Sequence, residues 1–299
     1  MMRKLFRNIH LWLSLPLGLI ISVICLSGAS LVFERDITQA LQRKLYNVTP
    51  PSEEAEPLAS SELEAAVRTW AADSLTLNTV RLQDSPRKAA LATFRETGKR
   101  QLCVDPYTGE VKGWAKSYEF FRTMRQLHRW LLDPPASKGE KSVGKVIVGV
   151  TTLTMTLILI SGLIIWIPKS RKALKNRLSV SCTKGWKRFL YDSHVSIGFY
   201  CTIFLLLMAL TGLTWSFGWY REAAYSLTGD MEPQAARRLF YSLHTGSWGG
   251  MVTKILYFLA ALLGGLLPLS GYWLWWKRIR RKAASSGKAE SQSQSTSKV

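Results

Sequence analysis

The chain carries four histidines, His10, His128, His194 and His244, in 299 residues. His10 stands 17 residues before Ser27-Gly28, and His194 stands 17 residues before Thr211-Gly212. The other two also precede such a pair. His128 lies 33 residues before Ser161-Gly162, and His244 lies 26 before Ser270-Gly271. The stretch DPPASKGEKS reads as extra loop that explains the unequal spacing. Imidazole is the commonest metal-binding side chain. A haem iron takes axial ligands from both sides of a flat ring, and two facing helices that each offer one imidazole meet that need.

Other chemistries fit less well. A catalytic zinc usually takes three protein ligands and a structural one four. Only Asp192, near His194, and Asp133, near His128, could supplement a histidine pair, and neither has HExxH spacing. The four cysteines form no CxxC or CxxCH, which argues against a zinc ribbon and covalent c-type haem and leaves buried or inert thiols as the simplest reading. A proton relay would need ionisable groups inside the membrane, and the uncharged runs contain none. A lone interfacial histidine also reads as an amphipathic residue at headgroup level, but four of four at equivalent places is harder to explain so. No GxGxxG occurs, so electrons would come from a cytoplasmic donor or a quinol.

The elements that position these residues are membrane spans. Uncharged runs cover 11–33, 146–168, 195–220 and 255–276, each long enough to cross a hydrocarbon core of about 30 Å. The first follows Arg3, Lys4 and Arg7, as in a signal peptide. It exceeds the usual h-region of about 7–15 residues and no small-residue cleavage site follows, so it reads as retained. The formal charge of +20 is unevenly spread. Residues 1–10, 169–194 and 277–299 hold 18 Lys/Arg against 2 acidic residues; 34–145 and 221–254 hold 22 against 18. That positive-inside pattern puts both termini in the cytoplasm and leaves no folded basic domain for nucleic acid. Six tryptophans near span ends read as an aromatic belt against membrane lipid.

The expected organisation follows. A first transmembrane helix (1–33) precedes a periplasmic domain (34–117) and an amphipathic helix with its loop (118–145). A second span (146–168), a basic cytoplasmic loop (169–193) and a third span (194–220) come next. A periplasmic segment (221–254), a fourth span (255–276) and a disordered cytoplasmic tail (277–299) complete the chain. The two halves read as parallel repeats of histidine, span, outside segment, histidine, span. His10 and His194 then share the cytoplasmic face, and His128 and His244 the outer face.

Within 34–117, SELEAAVRTWAAD has helical spacing, with Ser60 or Ser61 as N-cap. TVRLQ and AALATFRE read as strands, and QLCVDPYTGEVKGW as strand, turn, strand. The run VDPYTGEVKG after a helix and strands resembles a PepSY domain. With the four spans and histidine placement, nearly the whole chain resembles the PepSY-associated transmembrane family, which includes iron-regulated inner-membrane proteins and ferric-siderophore reductases. The fold class expected is a mainly α membrane protein: a four-transmembrane-helix bundle of two parallel helix-pair repeats with an inserted small α+β PepSY-like domain. The resemblance implies a multi-pass protein of the bacterial inner membrane that reduces a periplasmic ferric chelate such as a ferric siderophore. The histidine pairs imply two haems b. The rival reading is a non-enzymatic membrane protein whose PepSY-like domain binds or restrains a partner such as a peptidase.

Supporting residues can be named. Haem propionates need cations near the headgroups: Arg7 and Lys187 or Arg188 inside, and Arg125, Arg129 and Arg237 or Arg238 outside. Ser14, Leu17 and Gly18 after His10, and Ser196, Ile197 and Gly198 after His194, are small or apolar enough to lie against a porphyrin. Arg122, Arg125 and Arg129 share a helix face that would steer an anionic chelate or anchor propionates.

Overall fold

A computed structural model describes residues 2–280 apart from 99, 138, 139, 141 and the side chain of 73. In chain order the helices are α1 Met2–Val32, α2 Glu34–Leu41, α3 Arg43–Tyr46, α4 Ser60–Ala71, α5 Glu119–Trp130, α6 Val143–Trp166, α7 Arg171–Leu178, α8 Trp186–Ser216, α9 Gly218–Ser226 and α10 Pro233–Thr245. The last, α11, is counted here with its opening turn as Ser247–Arg280. The strands are β1 Leu77–Arg81, β2 Ala90–Phe94, β3 Leu102–Val104 and β4 Val111–Trp114. The chain divides into two compact units: residues 33–122, and the remainder.

Four helices are long and apolar enough to cross a membrane: α1, α6, α8 and α11. They run past the uncharged limits because flanking charged turns extend them. Residues 277–280 continue α11, where the sequence suggested the start of a disordered tail; the rest of that expectation lies outside the described residues. In lipid the backbone must satisfy itself, and helices do so except at their ends. Ser142 caps α6 by accepting from the Lys145 amide at 2.9 Å. At the other end Pro168 follows, and arginines meet the orphan carbonyls. Arg177 donates to Ile165 O at 2.9 Å and to Trp166 O, and Arg3 donates to Ile167 O.

The four spans form a ring. α1 and α8 each pack against α6 and α11, so α1 and α8 face each other across the bundle. Its centre holds Ile21, Cys25, Met155, Ile158, Cys201, Leu205 and Ala260. Small residues permit the close approach, as packing between membrane helices requires. A Cβ on Gly264 would stand 2.7 Å from Leu205, and one on Gly265 2.8 Å from Leu26.

The smaller unit is an antiparallel sheet in the order β1-β2-β3-β4. Alternation sends Ala90, Ala92, Phe94, Leu102 and Val104 to one face, where Leu63, Val67 and Ala71 of α4 cover them. Leu91 and Cys103 point the other way and pack with Tyr46, Val48 and Ala89. The β3–β4 turn is tied by Asp105, whose carboxylate accepts from the Tyr107 amide at 2.9 Å, and Gly109 takes φ +74°. The N-cap of α4 is Ala59, not Ser60 or Ser61. Glu62 supplies the capping bond by accepting from the Ala59 amide at 2.9 Å.

Candidate functional site

Each histidine ring rests on the glycine of a Ser/Thr-Gly pair. A Cβ built on Gly28 would lie 2.8 Å from Cε1 of His128. The corresponding distances are 3.1 Å from Gly162 to His10, 3.1 Å from Gly212 to His244 and 3.5 Å from Gly271 to His194. The hydrogen bonding repeats as well. His10 Nδ1 meets Ile158 O at 3.0 Å, His128 Nδ1 meets Ile24 O at 2.8 Å, and His244 Nδ1 meets Met208 O at 2.9 Å. Each carbonyl belongs to the residue four before the glycine, whose missing side chain leaves that turn of helix open. His194 uses the neighbouring hydroxyl: its Nδ1 meets Ser270 Oγ at 2.8 Å, while that Oγ donates to Leu267 O at 2.7 Å.

These bonds fix the tautomer. A carbonyl only accepts, and the Ser270 hydroxyl has already given its proton to Leu267. All four Nδ1 atoms are therefore N–H donors, which leaves Nε2 with its lone pair, the metal-binding form. Burial favours the uncharged ring. His128 is held below the ordinary imidazole value first by burial and then by Arg129, against the bond to Ile24. His244 is pushed down to about 4, chiefly by burial and then by His128, against the bond to Met208.

The rings then meet in pairs. His10 and His194 have centroids 6.4 Å apart at an interplanar angle of 89°. His128 and His244 are 6.0 Å apart at 51°. Two metal–imidazole bonds of about 2.0 Å with a ring radius at each end span roughly 6 Å, so one metal between each pair fits. Among the described residues no three His, Cys, Asp or Glu side chains gather as a metal cluster. Asp192 accepts from Arg188 at 2.7 Å and from the Ser181 amide at 3.3 Å, and Asp133 accepts from the Gly144 amide at 2.9 Å. The donor set at each place is thus two imidazoles, which suits haem better than zinc. From His10 to Ile24 and from His194 to Met208 is 14 residues in each case, about 21 Å along a helix. The pairs occupy opposite ends of the bundle.

The elements that deliver the rings differ. His10 and His194 sit on spans α1 and α8. His128 and His244 sit on α5 and α10, the short helices that precede α6 and α11. After α5 the chain reverses through Leu131 and Leu132, at φ +51° and +69°, costly values for bulky residues. A Cβ on Gly144 would lie only 1.7 Å from Trp130 O. After α10 the reversal uses Gly246, at φ +73°, against the ring of the fully buried Tyr257.

Several expected neighbours lie elsewhere. Gly18 faces the Tyr272 hydroxyl, and Ser14 bonds to Leu11 O at 3.1 Å on its own helix. Ser196 is buried and donates to Arg177 O at 2.8 Å and Ser179 O at 3.0 Å, tying down the connecting loop. Leu17 and Ile197 pack into the bundle centre, and Gly198 faces Leu267. The small residues that touch the rings are the four glycines and, before three of them, the hydroxyl residues Ser161, Thr211 and Ser270. Arg7 is exposed one turn before His10, and Lys187 is exposed. Arg188 pairs with the buried Asp192 at 2.7 Å, and Arg122 forms a solvent-exposed pair with Glu119 at 2.5 Å. Arg129 is exposed over the Trp130 ring, 4.4 Å from its centroid, and lies within electrostatic reach of Arg125 and Arg237. Sequence reasoning overlooked Trp215, whose ring is 5.3 Å from that of His244, and Arg221. No spacing signal marks either.

A family model described as the PepSY-associated TM region matches residues 7–237 and 221–278. No curated protein matches the chain.

Proposed function

The chain belongs to the PepSY-associated transmembrane family, and on that footing we propose that it is a di-haem b membrane oxidoreductase that reduces a ferric chelate, such as a ferric siderophore, outside the bacterial inner membrane. The observation that carries the reading is the pair of imidazoles at each end of the bundle, every ring anchored through Nδ1. His10 and His194 would hold one haem, and His128 and His244 the other. When bound, the two haems supply one-electron carriers at the two membrane faces.

The protein's own residues do the remaining work. The carbonyls of Ile24, Ile158 and Met208 and the hydroxyl of Ser270 orient the rings and raise their basicity as ligands. The apolar bundle centre excludes water between the two ends. The basic segments at residues 1–10 and 169–194 mark the His10/His194 end as cytoplasmic. The chain is then two parallel helix-pair repeats, with the sheet unit inserted on the periplasmic side of the first. Each ferric ion takes one electron to become ferrous, and that electron comes from a cytoplasmic donor or a quinol. Reduction weakens hard-oxygen chelation and frees the iron for uptake.

The test uses liposomes loaded with a reductant and bearing the full-length protein. External ferric chelate should yield ferrous iron, trapped by an external ferrous-specific dye, at a rate that tracks haem content. Haem-loaded liposomes that give no more ferrous iron than protein-free ones would contradict the activity.

A further inference from the structure

Beyond the His128/His244 end lies an open cleft of about 380 Å³ lined by Trp215, Arg221, Tyr225, Pro233, Gln234 and Arg237. Helix spacing builds it. Arg221 and Tyr225 are four apart on α9, and Pro233 and Arg237 four apart on α10, so each pair shares a helix face. Tyr225 packs on Phe240, with centroids 5.1 Å apart, which holds the two helices together. Both guanidiniums therefore reach one cleft. No carboxylate lines it, and among the described residues neither arginine has an ion-pair partner. The first turn of the 13-residue α10 adds the positive end of its dipole. Trp215 belongs to both places: it walls the cleft and touches the His244 ring.

We propose that this cleft is the docking site for the ferric substrate, and that the substrate class it selects is a small carboxylate-bearing ferric chelate of the citrate type. This rests on the reductase reading above. Two guanidiniums present planar forks that match carboxylates bidentately, whereas a neutral hydroxamate complex offers them no charge to pair. The cleft volume falls in the range of about 300–1,000 Å³ usual for small-molecule sites. Trp215 sets the docked chelate beside the outer histidine pair. Arg122, by contrast, is exposed and shares its helix face with the carboxylate of Glu119, whereas no carboxylate lines the Arg221/Arg237 cleft.

The test is calorimetric binding of gallium(III) citrate, a redox-inert stand-in, to the full-length protein in zwitterionic nanodiscs, where no anionic headgroup competes. Haem content is measured on each sample. Arg221→Gln and Arg237→Gln should each weaken binding about tenfold, and added salt should weaken wild-type binding. Arg68→Gln, on α4, should leave it unchanged. A neutral gallium trihydroxamate should bind weakly and respond to neither variant. Equal binding by wild type and both variants would overturn the proposal, as would no wild-type binding. Loss of haem together with binding would also overturn it, because the arginines would then serve the cofactor. Arginine-dependent binding by a protein that never acquires haem would uphold the cleft and sink the reductase reading.

Discussion

The two ends of the bundle hold their histidines in the same way and deliver them differently. At the His10/His194 end the rings ride on α1 and α8, so helix geometry alone sets their height. At the His128/His244 end they ride on α5 and α10, and two turns must fold those helices back. One turn uses Leu131 and Leu132 in left-handed backbone, with Gly144 against the Trp130 carbonyl just before them; the other uses Gly246 against Tyr257. The receiving side is shared: a Ser/Thr-Gly step exposes a carbonyl or a hydroxyl to Nδ1. The seat is therefore a property of the receiving helix, and the means of delivery can vary. The second end depends on more local conditions and should be easier to disrupt.

The largest effect should come from Gly144→Ala. Its Cβ would meet Trp130 O at 1.7 Å, so α5 and α6 must part. Haem content should fall by about half, with loss of the His128/His244 site and a thermal shift of several degrees downward, as overpacking of roughly 1–3 kcal/mol implies. The four ring glycines give a graded series. Alanine at Gly28, with 2.8 Å to His128, should cost most, and Gly162 and Gly212 at 3.1 Å less. Gly271 at 3.5 Å is in ordinary contact and should cost under about 0.5 kcal/mol. Haem stoichiometry and melting temperature across the four variants check the order; a flat series would mean that the glycines do not seat the rings.

Smaller still is the cap at Ser142, whose Oγ also donates to Asp133 O at 2.6 Å. Ser142→Ala should cost about 1 kcal/mol, read as a lower melting temperature. Haem binding at the His10/His194 end should be untouched. The smallest effect concerns the sheet unit. Burial pushes the Cys103 thiol up to about 11 from 9.0. A raised thiol pKa stabilises the fold fully below about pH 9 and loses that contribution as pH rises toward 11. A maleimide should therefore label exposed Cys182 at pH 8 and reach Cys103 only as the pH climbs past 9. Labelling of Cys182 from the cytoplasmic side alone would support the orientation.

Much of this was legible in the sequence, for definite physical reasons. Four long uncharged runs announce spans, and the repeated spacing from His to Ser/Thr-Gly picks out which histidines belong together. The function of the Ser/Thr-Gly step was not legible, because it depends on which helix packs on which. Gly18 and Ser196 were misplaced for a related reason. A span apolar on every side has no amphipathic stripe to fix its rotation, so a residue one or two turns from His10 or His194 has no predictable direction. Ala59 rather than Ser60 at the cap of α4 is a shift of one position, within the ordinary uncertainty of helix ends. The pairing of Arg122 with Glu119, three residues earlier, was not anticipated, because either side chain could equally have faced solvent alone. Trp215 on α8 and Arg221 on α9 come together with Arg237 on α10 only through the packing of both short helices on α8, which leaves no periodicity to find.

The most direct measurement is the haem content of the purified full-length protein and of four variants, His10→Ala, His128→Ala, His194→Ala and His244→Ala, by absorbance and pyridine haemochrome. Two low-spin haems b are expected per wild-type chain and one in each variant. His10→Ala and His194→Ala should lose the same one, and His128→Ala and His244→Ala the other. A haem-free wild type from haem-replete cells would contradict this assignment, and so would a single haem lost alike from His10→Ala and His128→Ala.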